Sequence, residues 1–591
     1  MANIDGAAGM PGNPGNLMKI QQRKADEWRL FPQSWPECLR RIMAARGIKS
    51  ADELTFNLAD LPKPSQMQGM DAAVTLLTQA LQQQWRVMIV ADFDSDGATS
   101  CAVMMRGLRM MGLQNIDFIV PNRFVHGYGL TTELLSEIAV ENQPDLLITV
   151  DNGIASIDGV SLAKQRGMQV LITDHHLAAE QLPQADAIVN PNQPGDVFPS
   201  KMLAGVGVAF YVLLGLRQGL RDLDWFELKQ LAEPRLVELL DLVALGTVAD
   251  VVPLDRLNRT FVDLGLKRMR QGLACAGIRA LLEVAGKDIT RLSSQDLGFA
   301  IAPRLNAAGR MEDMGLGIDT LLTDNFAMAQ QAAQLLDQIN LERRSVEQTM
   351  QLEALEMLEK TQLNETSDAA AYCLYEKNWH QGVIGLLASR IKEKLHRPVI
   401  VFAPGEPGEI KGSARSITGV HIRDVLVNVA AKYPDLILRF GGHAMAAGLI
   451  LRKDDFSLFE QAFSEAVQKS ADPAVFERAY FSDGELTVEE MDLSLAQQLP
   501  MFAPWGQAFP EPQFHGQFVL INYRHVGQQA DHLRLTIKLD DGREITAMAF
   551  RQTAPEWLKI GQKVGLHYRL DVNEFRQKQS LQLLVDNLLP I

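Results

Sequence analysis

From about Leu76 to Asp174 the chain alternates short, β-branched apolar runs with helical stretches, and no other feature restricts its fold as much. VMIVAD (87–92), IDFIVP (116–121), LLITVD (146–151) and VLITD (170–174) read as buried strands, with helices expected over 97–111, near 132–140 and near 154–166. Runs that are apolar on both faces and separated by helices belong in a parallel sheet covered on both sides, with right-handed crossovers. The class is α/β. Three of these runs finish on an aspartate. In an open parallel sheet the ligand site lies outside the carboxyl ends of the strands. Asp92, Asp94 and Asp96 of DFDSDG, Asp151 of VDNG, and Asp174, His175 and His176 of TDHH are therefore expected in one crevice. The segment 244–254 adds Asp250 from otherwise apolar surroundings.

So many carboxylates repel one another strongly in a crevice of low dielectric, and their pKa values rise unless something compensates. A bound dication compensates. Hard oxygen donors with one or two imidazoles suit Mn²⁺ or Mg²⁺ better than a thiolate-seeking metal. An aspartate shared by two ions ~3.5–4 Å apart is the arrangement that activates water and clamps the leaving oxygen of a phosphoester. The residues thus point to metal-assisted phosphoester hydrolysis. A lone acidic DxDxDG also serves calcium loops and response-regulator receivers, and a lone His-His is more often structural. The inference rests on the three motifs together, all at strand ends of one domain.

Helical periodicity dominates from about 201 to 286, and a stretch free of Pro and Gly from about 325 to 360 reads as one long helix or a helix pair bridging two halves. Strand–helix alternation resumes at AAYCLYE and ends near Phe463, which gives a second α/β domain. The last eighty or so residues are β-rich, with an Asp-Asp-Gly hairpin turn near Gly542, and fit a small barrel such as an OB-fold. The first sixteen residues, rich in Gly, Pro and Asn, suit a disordered tail without a secretion signal. No apolar stretch reaches the ~20 residues of a spanning helix. The four cysteines are too far apart for a CxxC pair, so neither a disulfide framework nor a thiolate zinc site is indicated.

DFDSDG, VDNG, TDHH and TVADVVPL, in this order, resemble the four motifs of the DHH phosphoesterase superfamily. PNRFVHGYGL, APRLNAAGRM, KGSARSI and RFGGHAMAAGL extend the likeness to that superfamily's bacterial single-strand-specific 5′→3′ DNA exonucleases, from about Trp85 to the C-terminus. The resemblance implies a DHH domain over 71–315, following a tail and helical segment over 1–70. A connecting long helix (316–368), a DHH-associated domain (369–468) and a linker with an OB-fold nucleic-acid-binding domain (469–591) would complete the chain. It implies Asp92, Asp94, Asp151, His175 and Asp250 as ligands of Mn²⁺ or Mg²⁺, two ions, with Asp151 between them. Asp96 would stand behind the ligands and Asp174 would orient an imidazole. His176 would contact the scissile phosphate or protonate the leaving oxygen. Phe93 stands where the family commonly has tyrosine and Ser95 where it has alanine; neither departure threatens the expected metal site.

On the nucleic-acid side, GSARS reads as a short polar loop in which Ser413 and Arg415 hold a terminal phosphate with guanidinium and backbone N–H groups. The resemblance implies 5′-end binding by this second domain, backbone-phosphate contacts by Arg123, Arg304, Asn306 and Arg310, and close approach at Gly441, Gly442 and His443. The formal charge of −15 excludes a protein held to duplex by bulk positive charge. Its distribution is uneven: −13 over 1–370, +3 over 371–460, −6 over 461–510 and +1 over 511–591. In the barrel Phe514, Phe518, Tyr523, Phe550, Tyr568 and Phe575 alternate with Arg524, Arg534 and Lys538, a pattern that stacks bases along a single strand, though about half should be core.

The sequence is thus read as a cytoplasmic, metal-dependent exonuclease taking single-stranded DNA from a free 5′ end to mononucleotides, in repair and recombination. By resemblance its partners are single-strand-binding protein and repair helicases, and no membrane is involved. Two alternatives stand beside it: a phosphodiesterase of short oligonucleotides or other small phosphoesters, and a non-catalytic replication or repair scaffold.

Overall fold

The computed structural model describes residues 19–364, 369–527, 530–576 and 578–591. The run 1–16, expected as a tail, lies outside them. Strand β1 (Lys19–Gln22) opens the described chain, and its only ladder is formed with a strand far downstream. The first large sheet follows: β2 (Val87–Ala91), β3 (Ile116–Ile119), β4 (Leu146–Val150), β5 (Gln169–Thr173) and a three-residue edge strand, β6 (Ala187–Val189), too short to show in the sequence pattern. All are parallel, in the order β3-β2-β4-β5-β6. The order reverses direction between β2 and β4, so the crevice of this sheet opens there.

Register decides what occupies that crevice. Ala91 pairs with Val150 and Val150 with Thr173, so the next residue of each strand, Asp92, Asp151 and Asp174, leaves the sheet at one level. Helices Ser95–Met110, Gly205–Asp222 and Leu240–Ala249 pack against one another, and the last is apolar on nearly every side. Asp250 sits at its carboxyl end.

One helix, Phe326–Asn364, of 39 residues and roughly 58 Å at the usual rise, carries the chain to the second domain. There β7 (Tyr372–Tyr375), β8 (Val399–Pro404), β9 (Glu409–Arg415), β10 (Arg439–Gly442) and β11 (Ala446–Arg452) form a sheet in the order β10-β11-β9-β8-β7, parallel only between β7 and β8. Strand β12 (Ala479–Ser482) then pairs in parallel with β1. Five strands, β13 (Phe514–Val526), β14 (His532–Lys538), β15 (Glu544–Ala549), β16 (Lys563–Phe575) and β17 (Lys578–Pro590), close a barrel in the order β13-β14-β15-β17-β16. This is the OB arrangement, with the expected turn at Gly542, whose φ is +92°.

The barrel region docks on the first domain. Leu254 N–H donates to Gln507 O (2.8 Å), Ser294 Oγ donates to Trp505 O (2.6 Å), and the Arg259 guanidinium lies 4.5 Å from the Phe509 ring centre. At the other end Arg46 forms a buried, two-pronged ion pair with Asp483, which Arg23 joins at 3.3 Å. Among the described residues no helix is long and apolar enough to cross a membrane.

Candidate metal centre and nucleic-acid groove

Each acidic motif folds as its neighbours require. Asp92 accepts from Phe93 N–H (2.7 Å), and Asp94 caps helix Ser95–Met110 by accepting from Asp96 and Gly97 N–H at 2.9 and 3.1 Å. A side chain at position 97 would lie 2.4 Å from Asp92 O, so the motif must end in glycine. Asp96 turns inward, where it accepts from Gly205 and Val206 N–H (2.6 and 3.0 Å) at the start of helix Gly205–Asp222. Asn306 supports the same loop by accepting from Ser95 N–H (2.8 Å) and Ser95 Oγ (3.0 Å). Asp151 adopts a left-handed conformation, φ +62°, and so does exposed Val251, φ +60°, directly after Asp250. For a β-branched residue that conformation is strained, and such strain gathers at functional sites.

These carboxylates and imidazoles fall into three donor sets, within each of which the ligand atoms lie within 4.8 Å of one another: Asp92, Asp94 and Asp151; Asp151, His175 and His176; and Asp96, His175 and Asp250. Asp151 belongs to the first two, and His175, whose Nε2 is 3.1 Å from Asp151 Oδ1 and 3.5 Å from Asp250 Oδ2, joins the last two. Among the described residues these three buried atoms, Asp151 Oδ1, His175 Nε2 and Asp250 Oδ2, have no hydrogen-bond partner. Buried polar atoms are otherwise nearly always paired. One cation would satisfy all three, and an oxygen-rich set with an imidazole suits Mn²⁺ or Mg²⁺.

The electrostatics agree. Burial, then the charge of Asp94, pushes Asp92 well above the carboxylate range; burial, then Asp96, does the same to Asp151. Asp96 rises to about 7 through burial and Asp250, and Asp250 to about 8 through burial and Asp94. Burial and the neighbouring His176 lower His175, which keeps it neutral and fit to ligate.

His176 has the opposite character. Burial works against its charge, but the hydrogen bond it donates to Asp174 (Nδ1 to Oδ1, 2.7 Å) and the Asp174 charge prevail and raise it to about 9. Near neutral pH it is an imidazolium able to donate to a phosphate oxygen. Asp174 is pinned by Ile154, His175 and His176 N–H (2.9, 2.7 and 3.1 Å); although burial opposes its charge, the bond from His176 holds it below its ordinary value. Asp174→Asn is expected to cut phosphodiester turnover about 10–100-fold, the usual cost of losing a partner that orients an imidazole. Steady-state rates at saturating Mn²⁺ would measure this, and an unchanged rate would refute the orienting role.

Cations of the protein surround the acids. Arg123 lies 4.1 Å from the Phe93 ring centre, and Arg310 donates to Gly382 O (3.4 Å) in the second domain. Burial, then the charges of Arg123 and Arg415, lowers Arg310 to about 10, so these three guanidinium groups converge where phosphate would meet the metal pocket. His443 of the second domain stacks on His176 with ring centres 6.4 Å apart. Arg304 stands apart: it is ion-paired with Asp337 of the long helix at 2.7 Å.

GSARS is not a loop. Ser413 and Arg415 lie on β9, paired on both sides with β8 and β11, so their backbone N–H groups serve ladders. Their side chains share one face, and Arg415 donates to Ser413 Oγ (3.1 Å). Small residues hid this strand; the alternation of Ile410, Gly412 and Ala414 with Lys411, Ser413 and Arg415 was its signal. Gly441 and Gly442 end β10, and a Cβ at 441 would meet nothing within 4 Å, which leaves the main chain there approachable.

From Asn306 and Arg310 a groove of about 1320 Å³ runs between the first domain, the long helix, the second domain and the barrel. Arg343, Arg344, Arg390, Arg551 and Arg569 line it. Two exposed aromatics stand in its walls, Phe299 (77 % exposed) on the π-helical turn Leu297–Ile301 and Phe550 (52 %) on the barrel. Phe550 was among the expected barrel aromatics; Phe299 and the long-helix arginines were not foreseen, since nothing local separates them from an ordinary helix face. Of the other barrel aromatics Phe514, Phe518 and Tyr568 are core, Tyr523 is half-buried and Phe575 is exposed.

Three family models match the chain: the DHH family N-terminal domain over 86–247, the DHHA1 domain over 367–469 and the RecJ OB domain over 482–587. They define its class, a DHH-family protein with the associated second domain and an OB barrel. The chain is 47% identical over 576 residues to the single-stranded-DNA-specific exonuclease RecJ of Escherichia coli (strain K12), covering 97% of this chain and 99% of that protein. It is 48% identical over 577 residues to the same exonuclease of Dickeya dadantii (strain 3937), covering 97% and 100%. The crystal structure of RecJ in complex with Mn²⁺ from Thermus thermophilus matches with a TM-score of 0.78 at 28% identity, over 97% of this chain and 79% of that one. The chain belongs to the RecJ family.

Proposed function

We propose that this chain is a metal-dependent exonuclease that degrades single-stranded DNA from its 5′ end to mononucleotides, using two Mn²⁺ or Mg²⁺ ions. The observation that carries the reading is the cluster of three donor sets, linked through Asp151 and His175, placed at the end of an arginine-lined groove with exposed aromatics. Divalent cations held by Asp92, Asp94, Asp151, His175 and Asp250, with Asp96 behind them, would activate water and neutralise charge on the phosphate. The chain's own residues do the rest. Arg123, Arg310 and Arg415 hold phosphate oxygens in charge-assisted bonds. His176, kept protonated by Asp174, donates to the scissile phosphate or its leaving oxygen.

Phe299 and Phe550 offer faces on which unpaired bases stack without regard to sequence, and Arg344 and Arg551 beside them meet the backbone, while Arg343, Arg390 and Arg569 are held by Glu347, Glu511 and Asp586. Paired bases present no free face to such platforms, which supports the preference for single strands. Ser413, Arg415 and the open main chain at Gly441 make the second domain the seat of the 5′ end. We place the enzyme in the cytoplasm, in repair and recombination, with single-strand-binding protein and repair helicases as the partners that deliver its substrate.

A long strand labelled at either end, digested with Mn²⁺ or Mg²⁺, tests the reading. The 5′ label is expected to appear at once as a mononucleotide, while the 3′ label persists on shortening strands. The reverse order would sink the polarity, and faster hydrolysis of a dinucleotide than of the long strand would favour a hydrolase of small phosphoesters.

A further inference from the structure

We propose that Tyr128 is a positioning residue of the metal centre: its hydroxyl holds the Asp151 main chain in the left-handed conformation that aims the carboxylate at Asp92 and Asp94 on one side and the imidazole of His175 on the other. Asp151 is an aspartate at φ +62°, a conformation an L-residue avoids by an amount comparable to one hydrogen bond. Its main chain is held by two contacts. Its N–H donates to Thr173 O (3.0 Å), and its carbonyl accepts from Tyr128 Oη at 3.2 Å. The carboxylate lies close against Gly205, where an added Cβ would fall 2.5 Å from Asp151 Oδ1, so glycine at that position is what admits it. The turn is therefore backed on one side and latched on the other, and Tyr128 is the side-chain latch.

The segment around Tyr128 is shaped for this task. Gly127 and Gly129 flank it at φ +79° and +75°, and a side chain at 129 would come within 3.1 Å of Ser156 Oγ, so the Gly-Tyr-Gly turn sets the tyrosine at the mouth of the site, the residue 47 % exposed and its hydroxyl on the Asp151 carbonyl. The approach is fixed by Asn122, which accepts from Phe124 N–H at 2.9 Å, and by His126, 2.7 Å from Glu137. The ring stands edge-on to Phe93 and to His176, with centres 5.9 and 5.8 Å away. Its hydroxyl is 3.4 Å from both ring nitrogens of His176. One side chain thus braces the shared ligand and the imidazole beside it.

This inference rests on the metal-centre part of the proposed function and not on the identity of the substrate, so its test has a readout free of DNA. Tyr128→Phe keeps the ring and its packing and removes only the hydroxyl. Calorimetric titration with Mn²⁺ alone is expected to show an affinity about 10–100-fold weaker than wild type, with an unchanged melting temperature for the metal-free chain. On single-stranded DNA kcat is expected to fall by a similar factor while KM stays within about twofold, the pattern of lost transition-state stabilisation. Wild-type Mn²⁺ affinity in the variant would overturn the proposal. So would a raised KM with kcat unchanged, which would make Tyr128 a contact for DNA. A wild-type chain that binds Mn²⁺ but leaves DNA intact would sink the exonuclease reading alone; one that binds no Mn²⁺ would sink both.

Discussion

Asp151→Asn is expected to abolish strand degradation for practical purposes, a loss of roughly a thousandfold or more, at or above the top of the range for removing one preorganised electrostatic element. The substitution nearly preserves volume, so the left-handed turn and the Gly205 contact survive. What it removes is the charge that links the Asp92–Asp94 set to the His175–His176 set. An amide also brings an N–H₂ group against His175 Nε2, 3.1 Å from the present Oδ1, where it would donate to the imidazole nitrogen meant for the cation. Single-turnover rates on a 5′-labelled strand over a Mn²⁺ series measure the effect. Recovery at high Mn²⁺ would mean that Asp151 serves affinity alone, and full activity would refute its place in the centre.

Stripping the metal is the second large change, and it ties stability to pH. In the metal-free fold Asp96 and Asp250 titrate at about 7 and about 8, with Asp92 and Asp151 also well raised, against an ordinary 3.8 in the unfolded chain. Between pH ~4 and ~8 the folded chain therefore holds protons that the unfolded chain has released, so the stability of the metal-free protein falls as pH rises through this window. His176 adds to the slope: its raised pKa, about 9, contributes stability that is present below 6.5 and lost as pH climbs through 9. Cations take the place of those protons, so stabilisation by Mn²⁺ is expected to grow with pH. At a concentration a hundred times its Kd a single ion adds about 2.7 kcal/mol. Thermal melts with chelator and with Mn²⁺ at pH 5, 6.5 and 8 check this. A gap between the two curves that shrinks toward pH 8 would contradict it.

Much of this centre was legible in the sequence because its geometry is local. A strand that ends on aspartate fixes where the carboxylate stands, and parallel neighbours in register bring Asp92, Asp151 and Asp174 to one level without any long-range information. The pairing of Asp96 with the N-terminus of helix Gly205–Asp222 was not legible, because it joins residues more than a hundred positions apart. Strand β9 escaped because Gly, Ser and Ala carry little β signal; its identity comes from neighbours on both sides. Arg304 shows the reverse. The resemblance implies a phosphate contact for it, and the structure shows it on the helix of Asn306 and Arg310, ion-paired with Asp337. The groove is a property of four separate parts of the chain meeting, and no single stretch announces it.

The ribbon of β1 and β12 has a consequence for how the molecule is made. Arg23 and Asp483, joined there, are 460 residues apart. During synthesis β1 emerges long before its partner and waits, its strand edge open and Arg46 without its acid, until β12 and Asp483 have left the ribosome. Contacts of such long separation form late and slowly. Assembly thus finishes where it began, and a chain cut short before Asp483 carries the defect at its opposite end, as an unpaired edge available to other molecules.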